Sequence, residues 1–385
     1  MECYFDNAAT TRPSKEVADY LYTTMLDQYA NPSSLHKKAF EAKKLVEYAE
    51  KQVQRVLGLS GRRVVFTSGA TESTNLAIKG TLEKFEDPKK LHIITTTIEH
   101  PCVSEVFRYY ENKGVMSEYI SVDRFGKIDQ ESLLGKIRPN TKLISLIWVN
   151  NEFGAVQPIS EIIKKIRLIN PSAFIHIDAV QGYGKIHDDF SDVDMISISA
   201  HKFHGPKGIG ALILKKNLSI VPQILGGGQQ DNYRSGTINA PLIGAMGKAC
   251  ELLSDEPCFA KLQQLQRYLY DAVCCEFGEE VINTKIKDSE YAPHILNVSF
   301  EGLKGEVLLH MMEEDDIFLS TSSACSSHKK NKKSVLKEIG LSQKQIDGTI
   351  RISLSEYNTA EQIDFMIQRL SVAVSKLSRL KKGSI

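Results

Sequence analysis

The chain has 385 residues, 42% of them hydrophobic, and a formal net charge of +1, so it is long and apolar enough for two domains with a core each and gives no global reason to expect nucleic acid. No apolar run reaches the length of a membrane span, and the opening stretch MECYFDNAATTRP lacks the basic-then-apolar order of a signal peptide, which predicts a cytoplasmic protein with no membrane role. The seven cysteines are odd in number and nowhere spaced as CxxC, so neither a disulfide framework nor a metal site is expected.

Residues 36–57, HKKAFEAKKLVEYAEKQVQRVL, place Phe40, Val46, Val53 and Leu57 in the apolar pattern of an amphipathic helix that stops at Gly58. Five short β-rich runs follow, in RRVVFTSGATESTNLAIKG, LHIITTTIEH, KLISLIWVNNEFG, AFIHIDAVQ and MISISAHKFHG, each breaking into polar residues. Helical stretches such as PISEIIKKIRLIN separate several of them. Strands alternating with helices predict an α/β domain whose mostly parallel sheet is covered on both faces. After about residue 245 the order changes to a helical stretch, CFAKLQQLQRYLYDAVCCEFG, a strand-like HILNVSF, the polar segment TSSACSSHKKNKK, a strand-like TIRISL and a last helix from about Thr359. This reads as a smaller α+β domain, giving a division into 12–245 and 1–11 with 246–385.

In open α/β sheets the ligand sits beyond the carboxyl ends of the strands, which here are Ser68 to Thr71, His100, Asn150 and Asn151, Asp178 to Gln181, and Ser199 to Lys202. SGATES leads from a strand into a helix, whose free N–H groups and dipole favour an anion, with the Thr71 hydroxyl as a further donor; alone, an ordinary capped turn explains it better. GxxxxGK[ST] is absent, and GPKGIG is too weak and too late for a dinucleotide fingerprint. Lys202 ends a buried apolar run, and an amine that loses hydration there becomes a Schiff-base nucleophile; a solvated loop lysine is an equal reading. Asp178 suits a partner for a pyridine nitrogen, as pyridoxal 5'-phosphate (PLP) requires, or a plain capping carboxylate. His100 suits ring stacking and proton movement, or a single structural hydrogen bond. Cys325, by itself, reads as an incidental thiol in a surface loop. The coincidence of phosphate seat, amine, carboxylate and imidazole at the strand ends of one domain is what favours a cofactor site.

Nearly end to end, YFDNAATT, NPSSLH, TSGATESTNLAIKG, EHPCV, VNNEFGAVQPI, HIDAVQ, SAHKFHGPKGIGAL, RSGT and SSACSS stand in order, and through them the chain resembles the cysteine desulfurases. These are class-V aminotransferase-like enzymes of the aspartate aminotransferase PLP fold. The resemblance implies that Lys202 holds PLP and later carries the Cα proton, that Asp178 pairs with the ring nitrogen, that His100 stacks on the ring and that Gln181 bonds the phenolic oxygen. It implies a phosphate cradle of Ala70, Thr71, Ser199 and His201, with Thr237 reaching the phosphate of a partner subunit in a homodimer. Asn151 would sit beside substrate and cofactor, and Arg351 would clamp the substrate carboxylate. Cys325 would be the thiol that attacks the sulfur of L-cysteine, leaving alanine and a persulfide for an acceptor such as an iron–sulfur scaffold or a tRNA thiolation enzyme.

Two stretches depart from the family pattern. Ser322 stands where a glycine often precedes SAC, and Ser355 and Glu356 stand where a glycine and a basic residue follow RISL. The rival readings are an aminotransferase, which gives Cys325 no role, and a selenocysteine lyase, which needs no persulfide release. A non-catalytic scaffold or RNA-binding partner would use Lys329, Lys330, Lys332 and Lys333 but needs neither Lys202 nor Asp178. Those lysines favour a thiolate and would steer an acidic acceptor, or form a solvated face.

Overall fold

The computed structural model describes residues 1–253, 256–284, 290–321 and 334–382. After a short first strand, β1 (Cys3–Tyr4), come β2 (Arg63–Thr67), β3 (His92–Thr96), β4 (Met116–Ile120), β5 (Thr141–Ile147), β6 (Phe174–Asp178), β7 (Met195–Ser199) and β8 (Gly210–Leu214). The last seven form one sheet in the order β2-β8-β7-β6-β5-β3-β4. All neighbours pair in parallel except β8, which runs antiparallel to β2 and β7. Strands β3, β7 and β8 are buried at every position, as a sheet with helices on both faces requires. Two of the seven, β4 and β8, are absent from the pattern read in the sequence. β4, MSEYI, is a sheet-edge strand buried only at Ile120, so its composition carries little apolar signal. β8 follows so closely on the glycine-rich GPKGIG that its apolar run reads as part of that loop.

The helix expected at 36–57 spans Lys37–Val56, but its buried face is Ala39, Ala42, Leu45, Ala49 and Val53. Phe40 is corrected from the core to the surface, where it is 58% exposed. The reason is the neighbour. Helix Ala240–Leu252 lies so close that a Cβ on Gly247 would stand 2.7 Å from Ala49 Cα, and only a face of small residues allows that approach. The join expected at residue 245 falls inside this helix, whose buried positions through Ala249 and Cys250 belong to the same core as the sheet.

A second core gathers around β9 (Ile295–Ser299), β10 (Ile317–Phe318) and β11 (Thr349–Ser353), under helices Glu256–Phe277, Gly305–Glu313 and Ala360–Lys382. β9 pairs antiparallel with β11, and β1 pairs in parallel with β10. Single bridges, Asp6 to Ser353 and Ser320 to Arg351, tie the two pairs together. Cys3 and Phe5 therefore pack with residues some three hundred positions later, among them Met312, Ile350 and Met366.

Gly247→Val is expected to push the two packed helices apart and to cost about 1–3 kcal/mol, read as a lower thermal midpoint. Gly135→Ala, whose Cβ would meet nothing within 4 Å among the described residues, should leave the midpoint unchanged or raise it.

Candidate active site

A cavity of about 730 Å³ opens at the carboxyl ends of β5, β6 and β7, where an open α/β sheet offers its ligand site. Lys202 reaches it from the turn Ala200–Lys202 that follows β7. Its Nζ donates to the carbonyls of Ala8 at 2.8 Å and Ala9 at 2.7 Å. That opening segment is itself held from β11, because Ala8 N donates to Ser353 Oγ and the Asn7 amide to Ser353 O.

Asp178, the last residue of β6, is only 4% exposed and accepts from Val180 N at 3.0 Å. Burial raises its pKa to about 6, against the pull of the Val180 N–H and of the Lys202 charge. His100 caps helix Pro101–Glu111, its Nδ1 accepting from Cys102 N at 3.2 Å, and borders the cavity. Beside it, Glu99 is buried with Oε1 accepting from Thr96 Oγ1 and Ile147 N, both at 2.8 Å. Burial, reinforced by the nearby Asp178, raises the Glu99 pKa to about 8. Both neighbouring carboxyl groups are thus pushed toward the protonated form, Glu99 further than Asp178.

Ala70 and Thr71 open helix Ala70–Leu82, and no side chain among the described residues caps it, so its first-turn N–H groups are placed to meet an anion at the cavity. Gly210 makes the approach possible, since a Cβ there would lie 2.7 Å from Gly69 Cα and 2.6 Å from Ile198 O. Ser199, paired with Gly210 across β7 and β8, and His201 line the same corner. Burial, together with the ammonium groups of Lys202, Lys207 and Lys185, pushes His201 down to about 4, so the corner gathers positive charge.

Gln181 donates to Ala8 O at 2.8 Å, and Asn151 donates to Glu152 Oε1 at 2.9 Å; both border the cavity. Arg351 arrives from β11 already engaged, with NH2 on Asp6 Oδ1 at 2.9 Å, NH1 on the Asn151 carbonyl at 2.8 Å and the Glu152 carboxylate 3.6 Å away. Asn150 does not join them. It is fully buried, its side chain spent on Ile98 O and on the N–H groups of Glu152 and Phe153. Thr237 is exposed and does not line this cavity. Cys325, Ser322 and the lysines from 329 to 333 lie outside the described residues, but Ser320, five positions before Cys325, lines the cavity and bridges to Arg351.

Sequence reasoning passed over Asp6, Glu99 and Cys102. Asp6 and Glu99 stand inside the quoted motifs YFDNAATT and EHPCV, yet a motif does not say which carboxylate meets which arginine. Cys102 lines the cavity with Sγ 3.9 Å from Asp178 Oδ2, and burial holds its thiol well above the usual range. Glu356, at the departure after RISL, pairs with His204 at 3.2 Å, away from the cavity.

Residues 3–366 match the family model described as Aminotransferase class-V. The chain is 38% identical over 388 residues to a NifS/IcsS protein homolog of Lactobacillus delbrueckii subsp. bulgaricus, covering 98% of both chains. It is 37% identical over 385 residues to the cysteine desulfurase IscS of Rickettsia prowazekii, covering 98% of this chain and 92% of that one. The solved structure of a NifS-like protein superposes with a TM-score of 0.90 at 35% identity, covering 98% of this chain and 100% of that one.

A carboxyl whose folded pKa lies above its unfolded value stabilises the fold below the unfolded value and loses that contribution as pH rises through the folded one. For Glu99 the window runs from 4.5 to about 8. The slope is at most ~1.4 kcal/mol per pH unit. Glu99→Gln, neutral throughout, keeps the Oε1 acceptor and should lose less stability than the unsubstituted protein between about pH 5 and about pH 8. Denaturant unfolding at several pH values checks this.

Proposed function

The chain belongs to the cysteine desulfurases of the aminotransferase class-V family, PLP-dependent enzymes that convert L-cysteine to L-alanine and pass the sulfur to a thiol of their own as a persulfide, and from that premise we propose the parts its residues play. The observation that carries the assignment is the convergence of Lys202, Asp178, His100 and an uncapped helix start on one cavity. The donor set fits PLP. The corner of Ala70, Thr71, Ser199 and His201 offers N–H and hydroxyl donors among ammonium groups to a phosphate. Asp178 offers a buried carboxylate, met among the described residues by one backbone N–H and the field of Lys202, to a ring nitrogen.

PLP, when bound, supplies an electron sink that acidifies the Cα of the amino acid. Lys202 holds the cofactor through Nζ and then moves the Cα proton on the same atom. Asp178, ionised above about 6, keeps the ring nitrogen protonated. His100 covers the ring, and Gln181 donates to the phenolic oxygen. Arg351, held in place by Asp6, takes the substrate carboxylate with Asn151 beside it. The Cys325 thiolate attacks the substrate Sγ; the S–Cβ bond breaks, its electron pair stays with Cβ, and Cβ gains a proton to become the methyl of alanine. Five residues of chain reach at most ~17 Å, so a thiol tethered at Ser320 stays within range of the cavity.

Tyr22, Met25 and Leu26 on the first helix, with Leu35, Phe40 and Leu225, are exposed large apolar side chains, and this supports a homodimer in which Thr237 serves the second copy's phosphate corner. We also take the sheet core and the second core as two domains, near 12–245 and 1–11 with 246–385. The acceptor is an iron–sulfur scaffold or a tRNA thiolation enzyme in the cytoplasm.

Mixing the PLP-loaded protein with L-cysteine should yield alanine and sulfide together; a keto acid without sulfide would mean transamination. Lys202→Ala should abolish the visible PLP absorbance and turnover, and normal activity in that variant refutes the assignment. Cys325→Ser should keep bound PLP yet form no persulfide. Mass spectrometry of the cysteine-treated protein should find the extra sulfur on Cys325, and a stable persulfide on Cys102 instead would overturn the assignment of the nucleophile.

A further inference from the structure

His294 stands in the turn that leads into β9, only 1% exposed. Its Nε2 lies 3.1 Å from Gln181 Oε1, while Gln181 Nε2 donates to Ala8 O at 2.8 Å. The two contacts decide each other's direction. A carbonyl only accepts, so the amide nitrogen must face Ala8, the amide oxygen must face His294, and the imidazole must donate from Nε2–H. Burial and the charges of Lys185, Arg351 and Lys202 around it hold His294 well below its ordinary pKa, so the ring is neutral and carries its one proton on Nε2. Nδ1 is then an acceptor with no partner among the described residues.

A bare buried acceptor is unfavourable, and an apolar side chain of similar volume would avoid it. Packing alone therefore does not call for a histidine here. What the histidine supplies is its Nε2–H contact to Gln181. Ala8 O, the other anchor of that amide, also accepts from Lys202 Nζ, so Gln181 and Lys202 share one fixed carbonyl at the floor of the cavity. With one amide N–H on Ala8 and the oxygen on His294, Gln181 has a second N–H left over, and Gln181 lines the cavity.

We propose that His294 is a positioning residue for PLP: it holds the Gln181 amide from behind, so that the remaining N–H is presented to the phenolic oxygen of the cofactor. This rests on the part given to Gln181 above. It also links the second core to the cofactor, since the His294 carbonyl accepts from Leu354 N at 2.9 Å, just beyond the strand that carries Arg351.

The test compares His294→Leu, which removes the donor, with His294→Gln, which returns an N–H to about the same place. The readouts are the apparent dissociation constant of PLP for the apoprotein, the pH midpoint of the absorbance change of the loaded protein, and the thermal midpoint of the apoprotein. His294→Leu should weaken PLP binding about three- to tenfold, the effect of losing one hydrogen bond. It should also move the absorbance midpoint and leave apoprotein stability equal or higher, and His294→Gln should restore the first two. Unchanged binding and spectrum in His294→Leu, a His294→Gln variant as defective as His294→Leu, or a lowered apoprotein midpoint would each overturn the proposal. Gln181→Leu separates the two layers. If it weakens PLP while His294→Leu does not, the proposal alone falls; if neither changes anything, the part given to Gln181 falls with it. In the double variant the losses should not add, because both act through one amide, and additive losses also overturn the proposal.

Discussion

Burying the Asp178 carboxylate at the end of β6 is unfavourable unless a positive charge meets it, and the cavity is arranged around that need. Its protein partners are modest: one backbone N–H, a distant thiol and the field of Lys202. A protonated pyridine ring offers a counter-charge, so the same burial favours the cofactor. Glu99 shows the alternative outcome. Equally buried and better supplied with donors, it sits beside another carboxyl group, and its pKa is raised further, to about 8. Only Asp178 of these two acids lines the cavity, and the two are shifted by different amounts because of their surroundings.

Residues 5–9 are the joint between the two cores. Phe5 packs in the second core, Asp6 takes the Arg351 guanidinium, Asn7 and Ala8 bond Ser353, and the carbonyls of Ala8 and Ala9 receive Lys202. A substrate carboxylate approaching Arg351 meets a guanidinium whose direction is already set, which lowers the ordering cost of binding. The departure after β11 fits the same joint. Glu356 Oε2 lies 3.2 Å from His204 Nε2 in the segment after β7, so the acidic residue ties the second core to the first away from the cavity.

What could be read in advance was whatever depends on local pattern. Apolar runs of strand length separated by helical spacing gave the α/β sheet, and most of the polar residues that end those runs, though not Asn150, line one cavity, because a parallel sheet brings successive carboxyl ends to the same edge. Lys202, Asp178, His100 and Gln181 were legible for that reason.

Tertiary structure alone decided which face of a helix is buried, as with Phe40, since the neighbour that excludes it begins two hundred residues later. It alone decided that β8 runs against the sheet and that β4 closes its edge. The pairs Asp6 with Arg351, Gln181 with His294 and Glu99 with Asp178 belong to the same class. A sequence specifies the chemistry of each partner, but distance and desolvation, which set the charge and the direction of every hydrogen bond, exist only once the chain has brought them together.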